Sequence, residues 1–218
     1  AWWNGTQWRE LGLRPVSEVF ASLVVLDDSL VACQWGLDAA TNRHVSRVAR
    51  WDGQDWRYFG GALDGPIQAM AVLGGDLVVG GGFTHADTVT VGHLARWDGK
   101  SGRAFPVGPN GDIDLMLVHG DTLIAAGDFT APAAGIARWD GEQWLAMDSG
   151  LPPGIRSLCV HEGAVFAGGN DPYLLWYRRW ISRWDGSAWQ PQSFDLPMSE
   201  LVALASVDGR LVMSAYDP

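Results

Sequence analysis

The apolar positions of the chain fall in short runs that are bounded by turn-forming residues. In one stretch, the runs 155–160 and 164–167 flank the polar turn His161-Glu162-Gly163. Continuous apolar runs of this length between turn signals are typical of β-strands that are buried on both faces. No segment shows a convincing helical period, so the pattern predicts an all-β protein.

The same stretch predicts four consecutive strands, A to D. Strands A and B cover 155–160 and 164–167, and Gly168-Gly169 is expected to end strand B where only glycine tolerates the backbone angles or the close approach. A variable loop leads to strand C at 181–184, and the Asp185-Gly186 turn leads to strand D at 188–190. The same order predicts strands at 67–72, 77–82 and 94–97, and at 113–118, 123–127 and 136–139.

These strands belong to a repeat that organises the chain. Arg-Trp-Asp-Gly occurs four times, with a degenerate copy at Trp2-Trp3-Asn4-Gly5. The first tryptophan of each copy lies at positions 3, 51, 97, 139 and 184, at spacings of 48, 46, 42 and 45 residues. A second tryptophan follows five positions later at 8, 56, 144 and 189, whereas the copy at Trp97 continues as Lys100-Ser101-Gly102-Arg103. β-rich periods of this length indicate a β-propeller.

The chain ends predict how the propeller closes. The chain begins in a strand C and stops after a strand B, so the N-terminal strands C and D are expected to pair with the C-terminal strands A and B. We therefore predict one domain over 1–218, a five-bladed ring of four-stranded antiparallel blades. The alternative is a fragment of a longer propeller. The predicted blades, numbered here as repeats 1 to 5, cover 16–60, 65–106, 112–148, 154–193, and 199–218 with 1–11.

The repeat resembles the kelch type. The shared features are a double glycine at the end of strand B, as in Gly80-Gly81, and one aromatic residue in each of strands C and D, as in Trp51 and Trp56. It is most similar to Arg-Trp-Asp-Gly repeats of large bacterial surface and secreted proteins, whose functions are mostly unassigned. WD40 repeats are a weaker match, because Gly92-His93 precedes strand C rather than strand A. Tachylectin-type lectins are also five-bladed and rich in tryptophan, but their sugar-binding motif has no match here.

Composition and charge narrow the classes of partner. With 47% hydrophobic and 18% charged residues, the chain has the balance of a packed globular protein and not of a disordered one. The net charge of -10 disfavours nucleic acid and anionic membranes as partners. No apolar run approaches the ~20 residues that span a bilayer, so no membrane insertion is expected. Since the N-terminus lacks an initiator Met and a signal pattern, we expect a monomeric domain of a larger chain.

Cofactor and metal signatures are absent from the sequence. Cys33 and Cys159 match no metal-binding spacing and are expected to be buried free thiols, and the five histidines form no HxxxH or HxH pair. The commonest hydrolase, kinase and metalloprotease motifs are also missing. We therefore expect no cofactor and no catalytic residues.

The variable B–C and D–A loops are the expected binding face, because the A–B and C–D turns are short and uniform. The B–C loop of repeat 4 is rich in aromatic residues and arginine, which suit stacking on a sugar ring or anchoring a protein interface. The alternative is that this loop folds back over its blade as a small core. Trp35 and Tyr216 lie near the exits of their strands B. The predicted ligand-binding residues are Tyr173, Trp176, Tyr177, Arg178, Trp180, Trp35 and Tyr216.

A second hypothesis rests on four carboxylates near the starts of strands A, at Glu18, Asp112, Asp114 and Glu200. Carboxylates around a channel mouth suit a cation, or the acid and nucleophile of a glycosidase. Their positions do not repeat from copy to copy.

The Arg-Trp-Asp-Gly units are better explained as structure. The tryptophan is expected to wedge between neighbouring blades, the aspartate to bond its own turn, and the glycine to take a positive φ. The sequence thus predicts a non-catalytic module, extracellular or at the cell surface, that recognises a glycan or a protein. The alternatives are a glycoside-active enzyme or cation site, and a structural spacer in a larger surface protein.

Overall fold

The computed structural model describes residues 2–3, 5–9, 19–38, 40–98, 102–105, 108–147, 151–171, 173, 178–193 and 200–216. Every helix or strand element in these ranges is a β-strand, which confirms the all-β prediction. The chain forms two compact units, Ala1–Pro106 and Val107–Pro218. Within the ranges given, no helix has the length and apolar character needed to cross a membrane.

The first unit contains three antiparallel sheets in its described part. Its strands are β1 (Trp2–Trp3), β2 (Trp8–Arg9), β3 (Val19–Leu26), β4 (Ser29–Asp38), β5 (Arg43–Trp51), β6 (Trp56–Leu63), β7 (Ile67–Leu73), β8 (Asp76–Gly81), β9 (His85–Ala86), β10 (Val89–Thr90), β11 (Leu94–Trp97) and β12 (Gly102–Ala104). β1 and β2 pair with each other. The other strands form a six-stranded sheet in the order β10-β9-β6-β5-β4-β3 and a four-stranded sheet in the order β12-β11-β8-β7.

The second unit contains two four-stranded sheets and a two-stranded one in its described part. Its strands are β13 (Asp112–His119), β14 (Thr122–Asp128), β15 (Ile136–Trp139), β16 (Trp144–Ala146), β17 (Ile155–His161), β18 (Ala164–Asp171), β19 (Arg178–Trp184), β20 (Trp189–Pro191), β21 (Glu200–Val207) and β22 (Arg210–Tyr216). β13 to β16 and β17 to β20 follow each other in order, and β21 pairs with β22. The predicted succession of strands A to D is confirmed in these sheets.

The prediction that the double glycine ends strand B is wrong for repeat 4. β18 continues through Gly168 and Gly169 to Asp171, because its ladder with β19 extends as far as the pair Asp171 and Arg178. Close approach is what requires glycine here. A Cβ at Gly169 would overlap the carbonyl oxygen of Gly154, and a Cβ at Gly81 would overlap that of Pro66. The second glycine therefore lets the preceding D–A connection lie directly against strand B.

Repeat 2 contains an element that the sequence did not predict. The B–C connection of repeat 2 forms the hairpin β9–β10, and Ala86 of this hairpin pairs with Leu63 at the edge of β6. The hairpin therefore joins the sheet of repeat 1, which has six strands instead of four. The carboxylate of Asp87 accepts a hydrogen bond from the backbone N–H of Ala62 at 3.0 Å, and that of Asp64 accepts one from His85 at 2.8 Å. The hairpin covers an edge strand that would otherwise expose unpaired backbone groups.

Each unit has its own apolar core. In the first unit, the cluster includes Leu77 and Phe83, and Trp97 packs against it. In the second unit, one cluster gathers around Ile136 and Trp189 and another around Leu201. Cys33 and Cys159 are buried and form no disulfide, as predicted, and burial raises the pKa of the Cys159 thiol.

Candidate functional site

The Asp-Gly turns that join strands C and D are closed by their own hydrogen bonds. Oδ1 of Asp52 accepts the backbone N–H groups of Gln54 at 2.9 Å and Asp55 at 2.7 Å, and the same pattern recurs at Asp140 and Asp185. Gly53, Gly141 and Gly186 have φ values of 97°, 108° and 104°. The structural role predicted for the aspartate and the glycine is confirmed in these turns.

The hydrogen bonds of these turns lower the pKa of the aspartates. The pKa of Asp52 falls to about 2, because the N–H groups of Asp55 and Gln54, and then the Arg57 side chain, stabilise the carboxylate. The pKa values of Asp140 and Asp185 are also lowered, in each case mainly by the backbone N–H groups of the turn. These carboxylates are therefore held ionised as structural acceptors, which makes them poor candidates for proton transfer.

The arginine of the Arg-Trp-Asp-Gly motif also has a structural role, which was not predicted from the sequence. The guanidinium of Arg50 donates to the backbone carbonyl of Leu26 at 3.1 Å and to the Asp27 carboxylate at 3.0 Å. Arg96 donates from Nε to the Asp76 carboxylate at 2.6 Å. Arg50 thus connects strand C to the A–B turn of its sheet, and Arg96 connects strand C to the first residue of strand B, directly after that turn. Acidic residues in the A–B turns, such as Asp27, were the available signal in the sequence.

The two tryptophans of each complete repeat pack as tilted pairs. The ring centroids are 5.6 Å apart for Trp51 and Trp56, 5.9 Å for Trp139 and Trp144, and 5.3 Å for Trp184 and Trp189. Trp189 is 5% exposed, and its Nε1 donates to the backbone carbonyl of Met147 at 2.7 Å. Since Met147 follows the last strand of repeat 3, this second tryptophan packs between neighbouring sheets of one unit.

In the first unit, the opposite end of the strands also has a closed turn, in which Oδ1 of Asp38 accepts the backbone N–H groups of Ala40 and Thr41 at 2.9 Å, and it carries aromatic and polar side chains beside this turn. We call the end where strand B leads to strand C the B–C end. The rings of Trp35 and His44 stack there, with centroids 5.6 Å apart and planes at 24°. On the adjacent surface the Tyr58 hydroxyl donates to Gln34 at 2.6 Å, and Arg47 lies 5.7 Å from the Tyr58 ring. Trp35 was predicted as a site residue, whereas its partner His44 was not.

In the second unit, the predicted site residues of repeat 4 differ in their surroundings. Tyr173 is 84% exposed, and its backbone N–H donates to the Asp171 carboxylate at 2.9 Å. Trp180 is half-buried, packs against the core around Trp189, and donates from Nε1 to the Pro153 carbonyl at 3.2 Å. Arg178 is the first residue of β19. Trp176 and Tyr177 lie outside the described residues.

Tyr216, the last predicted site residue, ends β22 and is 62% exposed. Its Cα partner across the strand pair is Glu200, one of the four carboxylates of the second hypothesis. Near this pair, the Asn170 side chain bonds the backbone of Leu201 twice, as donor at 2.9 Å and as acceptor at 2.8 Å. Asn170 therefore joins the sheets of repeats 4 and 5 within the second unit.

The remaining carboxylates are distributed along β13 or lie outside the described residues. Asp112 begins β13, Asp114 lies at its bulge, and Glu18 is not described. Partial burial raises the pKa of Asp114, and the charges of Asp128 and Asp112 add to this effect, while Arg156 opposes it. In the part of the chain that the structure describes, no group of three or more His, Cys, Asp or Glu side chains is arranged to hold a metal ion.

Comparisons with known proteins identify the fold. No protein-family model and no curated protein matches the chain. The computationally designed protein Ika8 is similar in structure, with a TM-score of 0.53 and 15% identity over 92% of this chain and 69% of that one. YjhT, a β-propeller protein, has a TM-score of 0.53 and 14% identity over 92% of this chain and 72% of that one. The β-propeller domain of the Trilobed protease from Pyrococcus furiosus has a TM-score of 0.45 and 8% identity over 92% and 78%.

At these identities the likeness to YjhT shows the fold alone, and that fold is a β-propeller. The four-stranded antiparallel sheets of both units agree with it, since a propeller blade has this form.

Proposed function

We propose that the chain is a non-catalytic binding module that recognises a glycan or a protein through its B–C and D–A loops. The observation that carries the proposal is a difference between the two ends of the strands. The C–D turns repeat one closed, hydrogen-bonded geometry, and Asp38 closes a B–C turn in the same way. The B–C end differs in that it carries aromatic rings that change from repeat to repeat, including Trp35, Tyr173 and Tyr216. Ligand contacts usually lie on variable loops that are held by a rigid scaffold.

A glycan is the first ligand to test, because aromatic faces beside hydrogen-bonding groups suit sugar rings. Trp35 and His44 supply the aromatic face in the first unit, and the exposed Tyr173 supplies a ring in the second. By sequence, Trp176, Tyr177 and Arg178 belong to the same loop as Tyr173, and we include them with Trp180 and Tyr216 in the proposed binding face.

A glycan-array screen tests this proposal, with and without calcium, on the native chain and on Trp35→Ala and Tyr173→Ala. The matched control is Trp8→Ala, which removes a 69% exposed tryptophan from the strand D that follows the first C–D turn. We expect binding that is weakened at least tenfold by one or both B–C variants and is unchanged in the control. Binding that both B–C variants retain would contradict the proposed face, and a silent array would favour a protein ligand or a spacer role.

We also propose that the repeats are kelch-like and form five blades, as in bacterial surface or secreted proteins. The support is that the described residues contain two incomplete sheets, β1–β2 and β21–β22, which in sequence order are strands C and D and strands A and B. Together they would supply the four strands A to D of one blade. Deletion of residues 1–9 is then expected to lower the melting temperature, measured by circular dichroism. An unchanged melting temperature would contradict the closure.

A further inference from the structure

A groove of about 200 Å³ lies within the first unit, between the six-stranded sheet and the four-stranded sheet. One wall is formed by Phe59 and Leu63 of β6, and the hairpin β9–β10 contributes Val89 beside them. The other wall is formed by Trp97 of β11 and Gly102 of β12. The lining is therefore mainly apolar, with an indole ring on one side.

The groove lies where the repeat lacks its second tryptophan. Gly102 is the Cα partner of Trp97 across the β11–β12 pair. In repeats 1, 3 and 4 the same register position holds the second tryptophan, in the pairs Trp51 with Trp56, Trp139 with Trp144, and Trp184 with Trp189. In this repeat, the missing indole leaves an open space beside the ring of Trp97.

Repeat 4 shows how an indole occupies the corresponding space. There Trp189 is almost fully buried, and its Nε1 donates to the carbonyl of Met147, three residues after the second tryptophan of the preceding repeat. Three residues after Trp56, the equivalent residue is Phe59, which lines the groove. The Phe59 ring also contacts Trp97, with centroids 5.9 Å apart. The repeat therefore provides a hydrophobic wall at the position that an indole uses elsewhere in the chain. Phe59 is paired in the β5–β6 ladder, but a carbonyl oxygen has two lone pairs, so it can accept from an indole N–H as well as from the ladder.

The charged side chains at the groove are already engaged. Arg96 bonds Asp76 at 2.6 Å, Arg103 bonds Asp98 at 2.7 Å, and the Asp87 carboxylate accepts the Ala62 N–H at 3.0 Å. These partners offset part of each charge, and most of the lining is apolar, so the groove favours a neutral ring over a charged ligand. For scale, an apolar cavity of roughly 150 Å³ inside a protein accommodates benzene.

We propose that this groove is a binding site for a small neutral aromatic molecule of indole size, which stacks on Trp97 in the place of the missing tryptophan. The ring N–H donates to the backbone carbonyl of Phe59, as Trp189 does to that of Met147. This site includes the B–C hairpin β9–β10 of repeat 2, but none of the predicted ligand-binding residues lines it, so it does not depend on their function.

Titration of the native chain with indole, measured by isothermal titration calorimetry, tests the proposal. We expect saturable binding at one site, and binding of 1-methylindole that is several-fold weaker because it lacks the N–H donor. Gly102→Trp is expected to fill the groove, weaken indole binding at least tenfold and raise the melting temperature. The backbone of Gly102 does not have a positive φ, so a side chain is tolerated there once the Trp97 ring, 3.3 Å from the new Cβ, shifts by a few tenths of an ångström.

Two further variants keep the test decisive. Val89→Trp places a bulky ring in the groove from a residue that is 58% exposed, so folding is expected to survive, and indole binding should again fall at least tenfold. Val207→Trp adds a tryptophan at an exposed position of the second unit and should leave the affinity unchanged. Absence of saturable indole binding to the native chain, or equal affinity in all three variants, would overturn the proposal.

Discussion

Repeats 2 and 4 follow the same strand order, yet they differ at the position that follows the Asp-Gly turn. In repeat 4, Trp189 is buried and bonds the backbone of the preceding repeat. In repeat 2, Gly102 leaves that space as a groove. The difference shows that the four-stranded sheet of a repeat can form without the second tryptophan.

The four-stranded sheet forms in repeat 2 because other contacts stabilise it. β11 keeps its ladders to both β8 and β12, and the Trp97 ring packs against Phe59. Arg96 also connects β11 to Asp76, the first residue of β8. Backbone hydrogen bonds thus fix the sheet, while the second tryptophan determines how closely it packs against its neighbour.

The largest effect is expected when repeat 4 is made to resemble repeat 2. Trp189→Ala removes a buried indole and leaves the Met147 carbonyl without its donor, so we expect a loss of about 3–5 kcal/mol in the free energy of unfolding. Urea denaturation measures this loss. The matched control Gly102→Ala should change the stability by less than about 1 kcal/mol. Similar losses in both variants would contradict the comparison.

A second prediction concerns a feature that the two repeats share. Gly81→Ala and Gly169→Ala each push a Cβ into a backbone carbonyl oxygen, of Pro66 and of Gly154 respectively. We expect each variant to lose roughly 1–3 kcal/mol, the usual cost of overpacking, because backbone cannot move aside as a flexible side chain does. Thermal denaturation of the two variants side by side tests this expectation. A loss in only one of them would show that the close approach is not a common requirement.

The shared Asp-Gly turn predicts acid sensitivity. The pKa of Asp52 is lowered to about 2 by the N–H groups of its turn, so its contribution to stability is complete above the ordinary pKa of 3.8 and declines as the pH falls toward 2. Asp52→Asn keeps a side-chain oxygen for the turn but cannot ionise. We expect the stability of this variant to fall less between pH 4 and pH 2 than that of the native chain, as measured by urea denaturation at each pH. Parallel pH profiles would refute this assignment.

The smallest effect on stability is expected at the B–C end. Tyr173 is 84% exposed, so Tyr173→Ala should change the free energy of unfolding by no more than about 0.5 kcal/mol. Trp180→Ala, on the strand β19 that follows this connection, should cost more, because its ring packs against the core and bonds the Pro153 carbonyl. Chemical denaturation of both variants measures the two losses in the free energy of unfolding. Equal losses would indicate that Tyr173 also belongs to the scaffold.

Local patterns were sufficient for much of the fold. The predicted strands at 94–97 and 136–139 match β11 and β15, because an apolar run and an Asp-Gly turn are local signals. The hairpin β9–β10 was missed, since it depends on pairing with β6 and on the side chain of Asp64. The end of β18 was misplaced for a similar reason, because its length depends on how far β19 pairs with it.

The residues of the candidate sites also divide into those that the sequence identified and those that it did not. The sequence identified Trp35 from its place near the exit of strand B, and Tyr173 from the aromatic-rich B–C loop of repeat 4. It did not identify His44 as the ring that stacks on Trp35, since that contact joins two strands across a hairpin. The absence of a tryptophan at Gly102 was visible from the repeat, but the groove was not, because the sequence does not reveal whether neighbouring side chains close the gap.

By itself, the sequence determined the strand order, the turns and the repeat, because each depends on residues close together in the chain. Only the tertiary structure decided which edge the added hairpin covers, which carboxylates the motif arginines bind, and whether the space beside Trp97 stays open. These outcomes depend on packing between strands that are distant in sequence, where the volume of every neighbouring side chain contributes.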